Sequence, residues 1–285
     1  MGVRTRLIAS FASGLLAAWL LDAHLTRLDT PGLDLLVATV PLSFAFTAFA
    51  VGGVTNAVNI IDGLNGLASG SVALMLGGLG ASAWMQGDGL VLYLCLAGIA
   101  AVLGFMVLNF PFGKIFLGDG GAYLAGFWLA ECAVLLLVRN PAVATWAPLL
   151  VCFYPVWETG FSMYRRRFVR KRLTGRPDMV HLHHLLMRRV ITRLLGRSSP
   201  SWGRHGATSL LLWMATVPMQ IGACLALGST PAVCAMIGGA ALVYGGTYRV
   251  IVRACSPSNG IPTHNEAPAA AGSPLALGVP MHRDH

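Results

Sequence analysis

Leu90 to Phe110 reads LVLYLCLAGIAAVLGFMVLNF, a run with no charged side chain and only Asn109 as a polar interruption near its end. A hydrocarbon layer about 30 Å thick needs about 20 such residues in an α-helix. Working outward, seven further apolar runs appear, giving eight expected spans: Leu7–Leu21, Leu35–Thr55, Leu67–Met85, Leu90–Phe110, Ala122–Val138, Thr145–Tyr164, Thr208–Leu227 and Ala232–Val252. The breaks carry turn chemistry: Asp29-Thr30-Pro31-Gly32, Gln86-Gly87-Asp88-Gly89, Arg139-Asn140-Pro141 and Gly228-Ser229-Thr230-Pro231. Backbone groups in lipid must be satisfied within the segment, so the expected class is all-α, a polytopic membrane helix bundle.

Composition agrees. The 285 residues are 55% hydrophobic and 11% charged, against about 25% charged in soluble domains. A soluble globule, a disordered or collagen-like chain and a nucleic-acid-binding protein are excluded. The six cysteines are scattered singly, mostly in apolar runs, so no disulfide framework or zinc site is expected.

The net charge of +9 is unevenly placed: 12 of the 20 basic residues lie between Arg165 and Arg204. Excess Lys and Arg mark cytoplasmic loops, so that stretch is expected inside, with both termini. Arg4 and Arg6 ahead of an apolar run resemble a secretory leader, but no small-x-small cleavage site follows at Asp22-Ala23-His24, which favours a short span. The expected organisation is a membrane domain over 1–253 and a disordered tail over 254–285, rich in Ala, Pro, Gly and His.

Three polar clusters stand two spans apart and therefore emerge on one face: Asn56-Ala57-Val58-Asn59-Ile60-Ile61-Asp62-Gly63-Leu64-Asn65-Gly66; Asn109 to Gly121; and Pro177-Asp178-Met179-Val180-His181-Leu182-His183-His184. Asn56, Asn59 and Asp62 share one helical face, and the glycines after them let backbone approach a ligand. Asp119 lies between glycines behind Lys114 and Phe116. That combination suits a magnesium and phosphate site, and the competing reading makes Asp119 the N-cap of the next span. His181, His183 and His184 in a basic loop suit phosphate oxygens, with zinc as the weaker competitor.

NAVNIIDGLNGL, NFPFGKIFLGDGGAYLAG and PDMVHLHHLLMRR, in that order, resemble the polyprenyl-phosphate N-acetylhexosamine-1-phosphate transferase superfamily of MraY and WecA type, glycosyltransferase family 4. The HLHH form after Pro-Asp is closer to the WecA and O-antigen initiating branch. The resemblance implies that undecaprenyl phosphate attacks the β-phosphorus of a UDP-amino sugar such as UDP-GlcNAc. UMP would leave with Mg2+ (or Mn2+) as cofactor, on the cytoplasmic face of a bacterial inner membrane. It further implies Asp119 as metal ligand and catalytic group, with Asp62, His183 and His184 also catalytic. Asn56, Asn59, Asn65, Asn109, Lys114, Phe116 and His181 would bind substrate, Phe116 by stacking on uracil. A homodimer is among the expected partnerships, nucleic acid is not.

Family members also carry two or three earlier spans and an adjacent aspartate pair upstream. No Asp-Asp pair occurs in this chain, so the expectation is a truncated start and an inactive or impaired chain as given, the alternative being a non-catalytic homologue. A transporter is the other rival. Only Glu131 and Glu158 lie inside expected spans; each is expected as a helix–helix hydrogen-bonding residue, or in the case of Glu158 a cleft-lining one, rather than part of an ion path.

Overall fold

A computed structural model describes residues 2–169 and 181–253, and among them all regular structure is helical. The order is α1 (Val3–Leu20), α2 (Val40–Ile61), α3 (Leu67–Met85), α4 (Gly89–Asn109), α5 (Gly118–Arg139), α6 (Ala147–Val151), α7 (Phe153–Tyr164), α8 (Leu182–Leu185), α9 (Thr192–Leu195), α10 (Ser201–Leu225) and α11 (Thr230–Arg253). A short 3-10 turn, Leu33–Val37, precedes α2, and π-helical turns cover Arg165–Val169 and Leu186–Ile191. The expected tail, and the Pro177-Asp178 step of the third cluster, lie outside the described residues.

Six of these helices, α2, α3, α4, α5, α10 and α11, are long and apolar enough to cross a membrane. The chain is a multi-pass, all-α membrane bundle. Two of the eight expected spans differ. The first is an 18-residue helix that carries Arg4 and Arg6 at its start, and it packs on α2. The sixth, expected as one helix over Thr145–Tyr164, is broken at Cys152 into α6 and α7. Proline explains the break: Pro155 has no N–H to give to the carbonyl of Val151 four residues earlier. That carbonyl instead accepts from Gln220 Nε2 on α10, at 3.1 Å.

The centre of the bundle is α3, flanked by α4 and α10, while α2 packs against α1 and α5. Leu67, Val72, Leu76 and Leu79 of α3 are fully enclosed. Close approach of α2 and α5 depends on Gly126, where a Cβ would lie 2.9 Å from the Thr55 Cα and 3.0 Å from its carbonyl oxygen. The outward faces of α4 and α11 remain apolar, with Tyr93, Val107, Leu242 and Val243 exposed, as expected of surfaces that meet lipid.

One end of the bundle is closed by two acid-centred clasps. Asp29 accepts from Arg27 (2.8 Å) and from the Thr145 hydroxyl (2.7 Å) and backbone N–H (3.1 Å). Asp88 caps α4 through Val91 N–H (3.3 Å) and accepts from Arg139 Nε (2.8 Å) and Asn140 Nδ2 (2.9 Å). The three polar clusters lie at the opposite end.

Candidate active site

The first cluster forms because α2 continues to Ile61, six residues beyond the expected end of that span. Asn56 and Asn59 are therefore helical, and Asp62 is the C-cap. Gly63 and Gly66 then turn the chain into α3, the latter at φ 77°, a left-handed conformation that favours glycine.

Asp119 lies in the first turn of α5. The N-cap position falls on Leu117, with no side-chain cap bond. The capping alternative for Asp119 is thereby corrected: Gly118 already begins the helix, which leaves the carboxylate free to project from it. One oxygen accepts from Asn59 Nδ2 at 3.1 Å and the other from Arg6 Nη1 at 2.7 Å. The side chain is still 61% exposed.

Burial, together with the Asp119 charge, pushes the Asp62 carboxyl up to about 6. Two carboxylates from separate helices thus oppose one another electrostatically. A divalent cation relieves such a conflict, and a magnesium site needs only one or two carboxylates when phosphates and water complete it. No group of three or more His, Cys, Asp or Glu suited to a metal occurs among the described residues. The donor set therefore fits a cation shared with a phosphorylated substrate better than a protein-only cage.

The other asparagines do different work. Asn56 donates to Ser10 Oγ (3.0 Å) and to the Gly52 carbonyl (2.6 Å), and accepts from the Tyr123 hydroxyl (3.1 Å), which joins α1, α2 and α5. Asn109 accepts from Gly66 N–H (2.6 Å) and donates to the Ile115 carbonyl (2.7 Å). Asn65 donates to the Pro111 carbonyl at 2.9 Å. These last two amides clasp the first cluster to the second. Lys114 and Phe116 stand on the outer side of that loop, Phe116 with 78% of its surface exposed.

The histidines approach from α8 and the residue before it. The His183 and His184 ring centroids are 4.3 Å apart, and His181 lies parallel to His183 at 5.5 Å. His183 is fully buried and neither of its ring nitrogens has a hydrogen-bond partner. Burial, then the neighbouring imidazoles, hold His183 well below the usual imidazole range. His184 is lowered by burial and by His181, Arg188 and His205. Both rings lie against Gly63, where a Cβ would stand 3.1 Å from His183 Nε2 and from His184 Cε1. Gly63 thus brings the third cluster onto the first.

Sequence reading missed Arg6 as the partner of Asp119, Tyr123 as the partner of Asn56, and Tyr244. Arg6 carries a signal, being a cation in an apolar helix, but its sequence context speaks only to topology and to a resemblance to a secretory leader. Glu158 does make the expected helix–helix bond, accepting from Tyr244 on α11 at 2.9 Å. Glu131 differs from expectation: it is buried, and its Oε1 has no hydrogen-bond partner.

Residues 1–137, which contain the first two clusters, match the family described as glycosyl transferase family 4. Over those residues the chain is similar to glycosyl transferase family 4. Curated relatives extend the match. A Bacillus subtilis (strain 168) protein named probable undecaprenyl-phosphate N-acetylglucosaminyl 1-phosphate transferase is 35% identical over 147 residues, 51% of this chain and 41% of that protein. An Escherichia coli (strain K12) protein named undecaprenyl-phosphate alpha-N-acetylglucosaminyl 1-phosphate transferase is 32% identical over 164 residues, 53% of this chain and 42% of its own. A Geobacillus sp. (strain WCH70) phospho-N-acetylmuramoyl-pentapeptide-transferase is 38% identical over 113 residues, 39% of this chain and 34% of that protein. The matches to the first two span about two fifths of those relatives' length. The histidines lie beyond the segment that the family match covers.

Proposed function

We propose that this chain is a member of glycosyl transferase family 4 and takes part in moving an N-acetylhexosamine-1-phosphate from a UDP-amino sugar to undecaprenyl phosphate. The observation that carries the reading is the meeting, at one end of the bundle, of Asp62 and Asp119 with the histidines that lie on Gly63. Two relatives whose names specify N-acetylglucosaminyl 1-phosphate transfer favour UDP-GlcNAc as donor.

In this reading a phosphate oxygen of the lipid attacks the donor's β-phosphorus, the bond from that phosphorus to the bridging oxygen breaks, and UMP leaves. Asp119 and Asp62 would hold Mg2+, with Mn2+ as the alternative, and the cation would neutralise charge on the donor's diphosphate. Asn59 orients Asp119 through its amide, and Arg6 is the carboxylate's internal counter-charge. Unpartnered nitrogens on His183 and His184 suit phosphate oxygens, and Lys114 adds a point charge. The exposed Phe116 ring is free to stack on uracil. Asn65 and Asn109 serve by holding the loop that presents these groups. The charge excess supports a cytoplasmic site in a bacterial inner membrane, since basic loops stay inside.

The test is transfer of radiolabel from UDP-GlcNAc to undecaprenyl phosphate by membranes containing the full-length natural protein, with and without magnesium. Asp119→Asn should lower the rate on the order of 10²–10³-fold. Absence of lipid-linked product from any UDP-amino sugar, with the protein folded, removes the proposal.

A further inference from the structure

Glu158 is 1% exposed, on the half-helix α7 that follows the Pro155 break. Its Oε1 accepts twice, from His181 Nδ1 at 3.1 Å and from Leu182 N–H at 2.7 Å. Its Oε2 accepts from the Tyr244 hydroxyl of α11 at 2.9 Å. A carboxylate can only accept, so its contact with Nδ1 assigns the proton of His181 to that nitrogen and turns Nε2 away from Glu158. Leu182 N–H opens the helical stretch that carries His183 and His184, so the same oxygen fixes both the start of that stretch and the ring in front of it.

From His181 the placement passes along a stack, to the parallel ring of His183 and then to His184 and Gly63. Glu158 makes no contact with Asp62 or Asp119 among its hydrogen bonds, and it lies behind the array.

We propose that Glu158 is the positioning residue of the histidine array, acting through His181 and Leu182 N–H and itself held by Tyr244, a role that rests on the transferase reading above. Partners that orient a metal-ligating imidazole are worth about 10–100-fold when removed, and the same order is expected for a ring held to meet a phosphate. The charge matters less here than the acceptor geometry. Glu158→Gln keeps a carbonyl oxygen for His181 and Leu182, and can donate its amide to the Tyr244 hydroxyl oxygen, whereas Glu158→Ala keeps nothing.

The experiment uses the full-length natural protein in nanodiscs, labelled with ¹⁵N-histidine, with His181→Gln to assign the ring signals. The unsubstituted protein and Glu158→Gln should both show His181 protonated at Nδ1, and Glu158→Ala should lose that signature. For transfer from UDP-GlcNAc, Glu158→Ala should lower kcat about 10–100-fold while the donor KM changes less than about threefold, and Glu158→Gln should restore most of the rate. Tyr244→Phe serves if Glu158→Ala does not fold, and should lower kcat in the same direction with less loss.

An unsubstituted protein whose His181 carries its proton at Nε2 overturns the proposal. So does a folded Glu158→Ala that keeps its kcat, a Glu158→Gln as impaired as Glu158→Ala, or a Tyr244→Phe unchanged in both ring signal and rate. If the unsubstituted protein transfers nothing, the transferase reading fails, and the ring signature separately decides whether Glu158 places His181.

Discussion

Asn59 and Asn109 are the same residue type in adjoining clusters, yet they answer to different forces. Asn109 is buried and satisfies Gly66 N–H and the Ile115 carbonyl at once. Asn109→Ala should therefore cost about 1–3 kcal/mol of stability for the groups left without a partner. Asn59→Ala, which frees one bond to an exposed carboxylate, should leave the melting temperature nearly unchanged while lowering transfer activity. Thermal melts in detergent beside activity assays distinguish the two. The sequence placed both asparagines at the site, and spacing could say that they lie on one face of the membrane. It could not say which amide faces a ligand and which closes a loop, because that depends on partners distant in the chain: the Asp119 carboxylate 60 residues from Asn59, and Gly66 N–H 43 residues from Asn109. Arg6 escaped for the same reason: it lies 113 residues from Asp119.

Helices were legible where hydrophobicity alone determines them. The runs at Leu67–Met85 and Leu90–Phe110 recur almost unchanged as α3 and α4. Where backbone chemistry competes with hydrophobicity, the reading slipped. Pro148 and Pro155 were visible within an apolar run, but the break needs a donor from elsewhere to be tolerated in a buried setting, and that donor is Gln220 of α10. Gln220→Leu should leave the Val151 carbonyl without its side-chain donor and lower stability by about 1–3 kcal/mol. The change is read as a lower melting temperature, with α6 and α7 protecting fewer amides from hydrogen exchange. A gain in stability would show that the break is satisfied by other means. At Gly126 the limit is steric, since Thr55 main chain occupies the space that a side chain would need.

Across the whole bundle the two ends are built differently. The end with the histidines carries polar atoms without partners, His183 Nδ1 and Nε2 among them, whereas the far end spends its acids on clasps. At Asp88, burial alone would raise the carboxyl, but hydrogen bonds from Arg139, Asn140 and Val91 N–H outweigh it and hold the group below its usual range. A lowered folded-state value means stability that is present above the unfolded value of about 3.9 and lost as pH falls through the folded one. Asp88→Asn should therefore melt earlier than the unsubstituted protein at pH 7, and the gap should close below about pH 4. A gap that persists at low pH would assign the effect to packing. Composition anticipated the membrane class, and the spacing of the three clusters anticipated their gathering at one end of the bundle. The clasps were not legible, because Asp29 and Asp88 read as ordinary turn residues, while their partners Thr145 and Arg139 lie 116 and 51 residues away.

The Asn65 and Asn109 clasp has a consequence for how such chains diverge. Each loop supplies an amide that closes the backbone of the other. Replacing either amide alone by a side chain that cannot hydrogen-bond would strand a backbone group of the other loop. A hybrid protein that takes one loop from a relative differing at either amide should therefore regain its folding yield only when the second loop comes from the same source.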